Sequence, residues 1–341
     1  MIAFIIRRLL MLPVVIIAVS IVIVGLLQFL SPAQRAAAFV RSEQQLRNID
    51  AIIEQYQLDA PFPVQYWNWA SEAVQGNWGY SRASSEPVLT TIRKRLPASI
   101  ELALLALLPV IGLGIWLGTA AALNQEKLVD QATRILSILG WSLPTFVLGI
   151  WLLVIFYGGL DWFQPGRLSN QYIIEMASGG FTTYTGMMTV DALLNGRFDI
   201  FVDALAHLVL PVITLAVVSS AQITRVMRTS LLDALSQDYV RTARSKGLPD
   251  RSVNLKHARR NALIPVITLS SLAFAFLLNG VVVTETIFNY PGIGIWAATA
   301  AVQLDVPAVL GFALVTAAIV VLANLVADVL YAVVDPRIRY D

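Results

Sequence analysis

The chain has 341 residues, of which 57% are hydrophobic and only 13% are charged, and its formal net charge is +2. So much apolar surface cannot be hidden beneath the polar exterior of a water-soluble domain, which excludes an ordinary soluble protein. Lipid leaves every backbone N–H and C=O group to be satisfied within the segment that crosses it. The composition therefore predicts an all-α membrane protein.

Six apolar stretches are long enough to cross a bilayer, whose core of about 30 Å needs roughly 20 residues of helix. In chain order they run from Leu9 to Leu30, Ile100 to Leu123, Ile135 to Tyr157, Leu205 to Ile223, Ala262 to Val283, and Val306 to Val334. Pro109, Pro144, Pro211 and Pro265 lie within four of them and either kink the helix or are tolerated by its packing.

The first stretch has two readings. Arg7 and Arg8 precede it and the small residues Ala36 to Ala38 follow it, as in a secretory signal peptide. The apolar run is longer than the usual signal-peptide core of about 7 to 15 residues. A retained membrane anchor is therefore favoured.

The distribution of Lys and Arg predicts which side of the membrane is cytoplasmic. Six spans place both termini on one side, and that side would hold 15 of the 24 basic residues. The segment from Arg225 to Asn261 contributes most, with nine basic and three acidic residues. Both termini are therefore expected in the cytoplasm, although the cluster from Arg93 to Arg95 lies on the outer side.

Two sizeable segments remain outside, residues 31–97 and residues 158–204. The first contains Trp67, Trp69, Trp78 and Tyr80, which fit either an interfacial aromatic belt or the core of a small cap. Helix-like spacing of apolar residues in 49–58 favours the cap. The sequence thus predicts three parts: residues 1–30 with the N-terminus and first span, an extracytoplasmic insertion over 31–97, and a five-helix core over 98–341 that includes the cytoplasmic segment 225–261.

The sequence of the cytoplasmic segment predicts two short amphipathic helices joined by a turn. Apolar residues at spacings of three to four form one stripe, Leu231, Leu232, Leu235, Tyr239 and Ala243. Gly247 suits the left-handed residue that ends a helix, Pro249 cannot continue it, and Asp250 can cap the next helix. A partner protein could bind such a helix, or the helix could lie on anionic lipid. The positive charge and the apolar stripe are compatible with both.

Polar residues within apolar spans are candidates for a translocation pathway, although small hydroxyls more often serve close helix packing. They are Ser219, Ser220 and Gln222 in the fourth stretch, and Ser270, Ser271 and Asn279 in the fifth. The last span carries a polar line that either reaches the interface or contacts a neighbouring span or subunit, formed by Asn324, Asp328, Tyr331 and Asp335.

Several kinds of chemistry lack support in the sequence. There is no cysteine, and the two histidines, His207 and His257, are far apart, so neither a metal nor a redox centre is expected. No GxxxxGK[ST] phosphate loop, HExxH or GxSxG motif occurs, which counts against a membrane enzyme and assigns any nucleotide chemistry to another chain. Glu101 and Asp130 lie at span ends, which disfavours the alternative of an ion-gradient-driven secondary transporter.

Short segments spread along nearly the whole chain resemble, in order, the ABC importer permeases of the peptide/nickel class. The most specific is the run from Asp238 to Leu248, DYVRTARSKGL, followed by RNALIP from Arg260 to Pro265. Arg241, Thr242 and Ala243 stand where the general importer motif has Glu-Ala-Ala. Further matches are RRLL from Arg7 to Leu10, LDAP from Leu58 to Pro61, ETIFNYPGIG from Glu285 to Gly294, and DPR from Asp335 to Arg337.

This resemblance implies a type I importer permease fold, in which a coupling helix docks into a groove of the ATP-hydrolysing subunit. The residues it assigns to docking are Leu235, Asp238, Tyr239, Val240, Arg241, Thr242, Ala243, Lys246, Gly247 and Leu248. It also suggests an outer loop or gate made of Glu285, Phe288, Pro291, Gly292 and Gly294.

The same resemblance implies a transport subunit that is not itself an enzyme and that moves peptides or peptide-like solutes by alternating access. Expected partners are a second, related permease, two cytoplasmic ATP-binding subunits that hold ATP and Mg, an extracytoplasmic solute-binding protein and membrane lipid, but no nucleic acid. The expected location is the inner membrane of a prokaryote. Dipeptides, oligopeptides, glutathione and nickel chelates all remain open as cargo.

Overall fold

A computed structural model of the chain describes residues 2–36, 40, 43–46 and 48–334. Most of this part is helical. The helices before the core are α1 (Ile2–Leu26), α2 (Pro32–Ala36), α3 (Glu43–Leu46), α4 (Ile49–Gln55) and α5 (Phe62–Val74). The others are α6 (Val88–Leu123), α7 (Leu128–Ser142), α8 (Thr145–Leu152), α9 (Asn170–Ala177), α10 (Met188–Leu194), α11 (Phe198–Leu235), α12 (Asp238–Ser245), α13 (Asp250–Ser252), α14 (Arg259–Ile287), α15 (Ile293–Val302) and α16 (Val306–Val334).

A small antiparallel hairpin, which the sequence did not predict, interrupts the helices. Strand β1 (Tyr80–Ser81) pairs with β2 (Glu86–Pro87), with Tyr80 opposite Pro87. Asp305, just before α16, accepts hydrogen bonds from the Ser81 hydroxyl at 2.7 Å and the Ala83 amide at 3.0 Å. The hairpin is thereby fixed to the outer end of α16.

By length and composition, the described residues contain four helices able to cross a membrane, at Leu10–Phe29, Val88–Leu123, Phe198–Leu235 and Val306–Val326. A fifth is present if Leu128–Ser142 and Thr145–Gly159 form one span, although these two pieces are bent by 101°. The expected stretch from Ala262 to Val283 lies in α14, which has 29 residues and is not among those five.

The expected third span is therefore broken. The bend falls at Leu143, whose backbone is extended (φ −79°, ψ 121°). Pro144 follows it, and a proline disfavours helical geometry in the residue before it and has no N–H to donate. The sequence marked Pro144 as a kink or as tolerated packing, and the structure shows a complete break.

Two helices run well past the spans expected from hydropathy. α6 begins at Val88, not near Ile100, because its first turns pack through Val88 and Ile92 against Trp296 of α15. The expected boundary between residues 97 and 98 lies inside this continuous helix. α11 has 38 residues and, at 1.5 Å each, measures about 57 Å, so it projects beyond the bilayer core.

The main core lies between α6, α11 and α14. Two glycines one turn apart, Gly114 and Gly118, let α6 approach α11 closely. A Cβ on Gly118 would lie 2.6 Å from both Cβ of Met227 and the carbonyl oxygen of Thr224. Small residues at this spacing are typical of helix contacts in membranes, where apolar burial alone gives no preference for protein over lipid.

The outer segments form two smaller clusters. In the first, Ile52, Leu58 and Trp69 pack with Val24 of α1 and Leu310 of α16. In the second, residues from α10 and α11 meet Leu168 of the loop before α9. Of the four aromatic residues considered for a cap or a belt, Trp69 is a core residue, whereas Trp67 is exposed.

Candidate functional site

Helix α12 follows the C-terminal end of α11 and is fixed by one narrow apolar face. Val240 and Ala243 are buried and belong to the main core, together with Leu231 of α11 and Val253 after α13. Since these contacts come from the two helices that flank α12, the helix is held as part of the protein body.

The prediction of one continuous apolar stripe in this segment is wrong. Leu231, Leu232 and Leu235 belong to α11, and the chain breaks at residues 236–237 before α12 begins at Asp238. The break shifts the helical phase, so the Tyr239 side chain is exposed whereas the Val240 side chain is buried.

Most of the residues expected to dock share one exposed surface. Leu235 is half-buried, and Val240 and Ala243 are buried. The exposed seven are Asp238, Tyr239, Arg241, Thr242, Lys246, Gly247 and Leu248. This surface is mainly polar but also includes the exposed side chains of Tyr239 and Leu248. A guanidinium nitrogen of Arg241 lies 3.5 Å from the Asp238 carboxylate one turn earlier.

The end of α12 follows the predicted pattern. Gly247 has φ +74°, in the left-handed region that favours glycine. Its amide donates to the Arg244 carbonyl at 2.9 Å. The predicted cap by Asp250 is wrong, because Pro249 occupies the N-cap position and Asp250 already lies inside α13. The Asp250 carboxylate is instead 3.7 Å from the Arg244 guanidinium.

At the opposite end of the helices, Glu285 of α14 organises the turn that leads into α15. Its buried carboxylate accepts hydrogen bonds from the Gly294 amide at 2.7 Å, the Ile295 amide at 3.0 Å and the Ser99 hydroxyl of α6. The Ser99 oxygen in turn accepts from the Ile293 amide at 2.8 Å. Three amides at the start of α15, which have no partner within their own helix, are thus satisfied.

This arrangement explains the two glycines of the turn. A Cβ on Gly292 would collide with the Glu285 carboxylate, and one on Gly294 would lie 2.6 Å from Cα of Val282. Phe288 is buried, and its carbonyl accepts from the Gly166 amide at 2.8 Å. Glu285, Phe288, Gly292 and Gly294 therefore form one rigid unit, while Pro291 is exposed.

A second buried carboxylate, Glu101 of α6, joins three parts of the outer region. One oxygen accepts from the amide and the hydroxyl of Thr189, both at 2.6 Å. The other accepts from the Arg167 guanidinium at 2.7 Å and from the Tyr290 hydroxyl at 3.0 Å. Burial, and then the Glu101 charge, raises the pKa of Tyr290, so its hydroxyl stays protonated and donates.

Sequence reasoning missed this network. It placed Glu101 at a span end and did not single out Arg167, Thr189 or Tyr290. One signal was available: a charged residue at the edge of an apolar membrane run almost always has a partner. The partner could not be named, because Arg167 lies 66 positions away in sequence.

The pathway candidates do not share one face. Ser220 is buried towards α6, where its carbonyl lies near Gly114, whereas Gln222 is exposed. Ser219 and Ser270 are half-buried, and the Ser270 hydroxyl donates to the Val266 carbonyl of its own helix at 2.8 Å. The side chains of Ser271, Asn279, Asp328 and Tyr331 lie outside the described part, as do all of Asp335, Pro336, Arg337 and Arg339.

Two family descriptions match the chain and together cover most of it. "Binding-protein-dependent transport system inner membrane component" matches residues 111–340, and the description of the N-terminal part of such membrane components matches residues 1–103. 

Three relatives show the same likeness. The chain is 43% identical over 296 residues to the probable D,D-dipeptide transport system permease protein DdpB of Escherichia coli K12, with 86% of each chain covered. It is 41% identical to the di/tripeptide transport system permease protein DppB of Pseudomonas aeruginosa, with 83% and 82% covered. It is 34% identical, over the full length of both chains, to the oligopeptide transport system permease protein AppB of Bacillus subtilis. The chain therefore belongs to the family of binding-protein-dependent transport system inner membrane components, as a multi-pass permease of the inner membrane.

Proposed function

We propose that this chain is the permease subunit of an ATP-driven importer that carries peptides or peptide-like solutes across the cytoplasmic membrane by alternating access. The observation that carries the proposal is its likeness to permeases of D,D-dipeptide, di/tripeptide and oligopeptide transport systems, at 34% to 43% identity over most of each chain. The proposed partners are a second, related permease, a solute-binding protein outside, and two ATPase subunits inside that hold ATP and Mg.

The proposed docking element for an ATPase subunit is α12. A helix that binds lipid turns its apolar face outward. In α12 the apolar residues Val240 and Ala243 face the protein core, whereas Asp238, Tyr239 and Arg241 are exposed. This orientation favours a protein partner over a lipid surface, a choice that charge and apolar stripe alone left even and that the family resemblance made in favour of an ATPase.

The proposed topology has six spans. The broken pair α7 and α8 counts as one span, and α14 supplies the one that length and composition did not select. Both termini are then cytoplasmic, α12 lies inside, and residues 31–97 and 158–204 lie outside. The insertion after the first span, as proposed, reaches into the first turns of α6.

An uptake assay tests the mechanism. The permease and its partner subunits are reconstituted in vesicles with the binding protein and a labelled dipeptide. We expect uptake that requires ATP and continues after ionophores collapse all ion gradients. Uptake that persists without ATP but stops with the ionophores would establish the rival secondary transporter.

A second experiment tests docking at α12. Arg241→Glu reverses a charge on the exposed face, and we expect reduced co-purification of the ATPase subunit and a loss of peptide uptake. Lys127→Glu is the matched control, because Lys127 is also exposed and lies in the turn between α6 and α7. Equal behaviour of the two variants would refute the assignment. Ala243→Asp is less suitable, because it places a carboxylate in the core.

A further inference from the structure

Helix α5 buries one apolar face, which includes Trp69, and exposes a second one. Gln65 is only 5% exposed, whereas Trp67 is 72% exposed and Val74 is 90% exposed. Val64, Trp67 and Val74 recur at helical spacing, with Ser71 between the last two. An apolar stripe that faces outward needs an apolar environment.

The polar groups of α5 are satisfied inside the protein. The Gln65 amide donates to the carbonyls of Leu58 at 2.8 Å and Ala60 at 2.6 Å, and its oxygen accepts from Arg35 at 2.8 Å. The Asn68 amide donates to the Tyr56 carbonyl at 2.9 Å. These bonds fix the rotation of the helix, so the exposure of Trp67 is built in.

The outward stripe carries no charge. Glu72 is the one charged residue in the sequence of α5. Its carboxylate accepts from the Asn77 side chain at 2.8 Å, beyond the end of the helix. A surface of this kind suits the boundary between lipid headgroups and acyl chains, where tryptophan is enriched.

The contacts of α5 with α1 set its depth. The hydroxyls of Tyr66 and Ser20 are 2.9 Å apart. Ser20 lies in the middle of the apolar run Leu10–Phe29, and the nine residues from it to Phe29 correspond to about 14 Å of helix. The Tyr66 hydroxyl therefore reaches into the outer half of the bilayer. The preceding residue, Gln65, accepts from the Gln28 side chain at 3.2 Å near the end of the apolar run, so α5 and Trp67 lie close to the outer boundary of the membrane.

We propose that α5 is an interfacial helix whose Val64, Trp67 and Val74 stripe is embedded in the outer leaflet beside α1. A soluble protein approaching from outside would have to pass below the headgroups to cover this face, so lipid is the proposed occupant, and coverage by the second permease is an outcome of the test below. The extracytoplasmic insertion is thus anchored to the membrane as well as to α1 and α16.

Site-directed spin labelling of the full chain tests the proposal, and the lack of cysteine makes single-cysteine variants simple to prepare. A nitroxide is attached to Trp67→Cys, and to Val64→Cys as a second position on the same stripe, in a lipid bilayer. Val22→Cys on the exposed side of α1 is the lipid control, and Asp59→Cys in the same outer segment is the water control. Collision rates with oxygen and with a water-soluble nickel chelate are then measured.

We expect the ratio of oxygen to nickel collisions at Trp67 and Val64 to be several times that at Asp59, with a depth of about 5 to 10 Å below the headgroups. Frequent nickel collisions at both stripe positions would show that the face is in water and would overturn the proposal. Low rates with both reagents would show that a protein surface covers the stripe and would overturn it equally.

Discussion

Asp130 and Arg228 form a two-point ion pair between the first turn of α7 and the C-terminal part of α11, in which the carboxylate is buried and the guanidinium is half-buried. The Arg228 Nε atom donates to one carboxylate oxygen at 2.6 Å and Nη2 donates to the other at 2.7 Å. The Glu126 amide donates to the same carboxylate at 3.0 Å. Because α12 begins directly after α11, this pair ties the helix that carries the proposed docking element to the broken span.

Asp130→Asn is expected to lower the free energy of unfolding by about 1.5 to 3 kcal/mol, because it leaves the half-buried Arg228 guanidinium without a counter-charge. Thermal and denaturant unfolding of the purified chain in detergent would measure the loss. The exposed pair Arg244 and Asp250, 3.7 Å apart, is the control, and Arg244→Gln should cost less than about 1 kcal/mol. The double variant Asp130→Asn with Arg228→Gln should recover part of the loss. Equal effects of Asp130→Asn and Arg244→Gln would contradict the role assigned to the pair.

Local signals in the sequence were read well. A span must be apolar over about 20 residues, so the stretches were visible, and each expected span lies in a helix or in the bent pair. The left-handed end of α12 at Gly247 was also predicted, because glycine followed closely by proline specifies it within a few residues.

Features set by distant contacts were not predicted. The outer extension of α6 depends on Trp296, and the bond between Glu101 and Arg167 joins residues far apart in sequence. Hydropathy indicates which residues can lie in lipid, but it does not indicate where a helix begins or ends. The orientation of α12 was missed because a two-residue break after Leu235 changed the phase of a stripe that had been read as continuous.

Gly247→Val is expected to disturb the end of α12 and to uncouple ATP hydrolysis from transport while the chain still inserts. A left-handed conformation costs a residue with a Cβ about 1 to 2 kcal/mol, and more when the side chain is β-branched. Hydrogen exchange of residues 238–248 and peptide uptake would measure the two effects.

Gly247→Asn provides the matched control, because asparagine tolerates the left-handed region. It should retain most of the protection from exchange and most of the uptake. If the valine and asparagine variants behaved alike, the backbone conformation at this position would be irrelevant to coupling.

Gly294→Ala is expected to destabilise the outer turn, because the new Cβ would lie 2.6 Å from the Cα of Val282, a backbone atom that cannot move alone. A loss of about 1 to 3 kcal/mol is typical of overpacking. Gly112→Ala is the control, since no atom lies within 4 Å of a Cβ placed there and the residue is helical. Unfolding in detergent should show Gly112→Ala to be neutral or slightly stabilising. A neutral Gly294→Ala would show that the turn has room to relax.

Tyr290→Phe should remove one of the donors that satisfy the buried carboxylate of Glu101, at a cost of about 1.5 to 3 kcal/mol for a hydrogen bond to a charged group. Tyr184→Phe is the control, because Tyr184 is exposed in the segment 158–204, which also carries Arg167, and its change should stay within about 0.5 kcal/mol. Glu101→Gln should cost more than Tyr290→Phe, since it leaves the guanidinium of Arg167, which is largely buried, without a counter-charge. A double-mutant cycle between Tyr290→Phe and Glu101→Gln would measure the coupling through unfolding in detergent. Additive losses would show that the two residues act separately, and the outer network would then be two independent contacts.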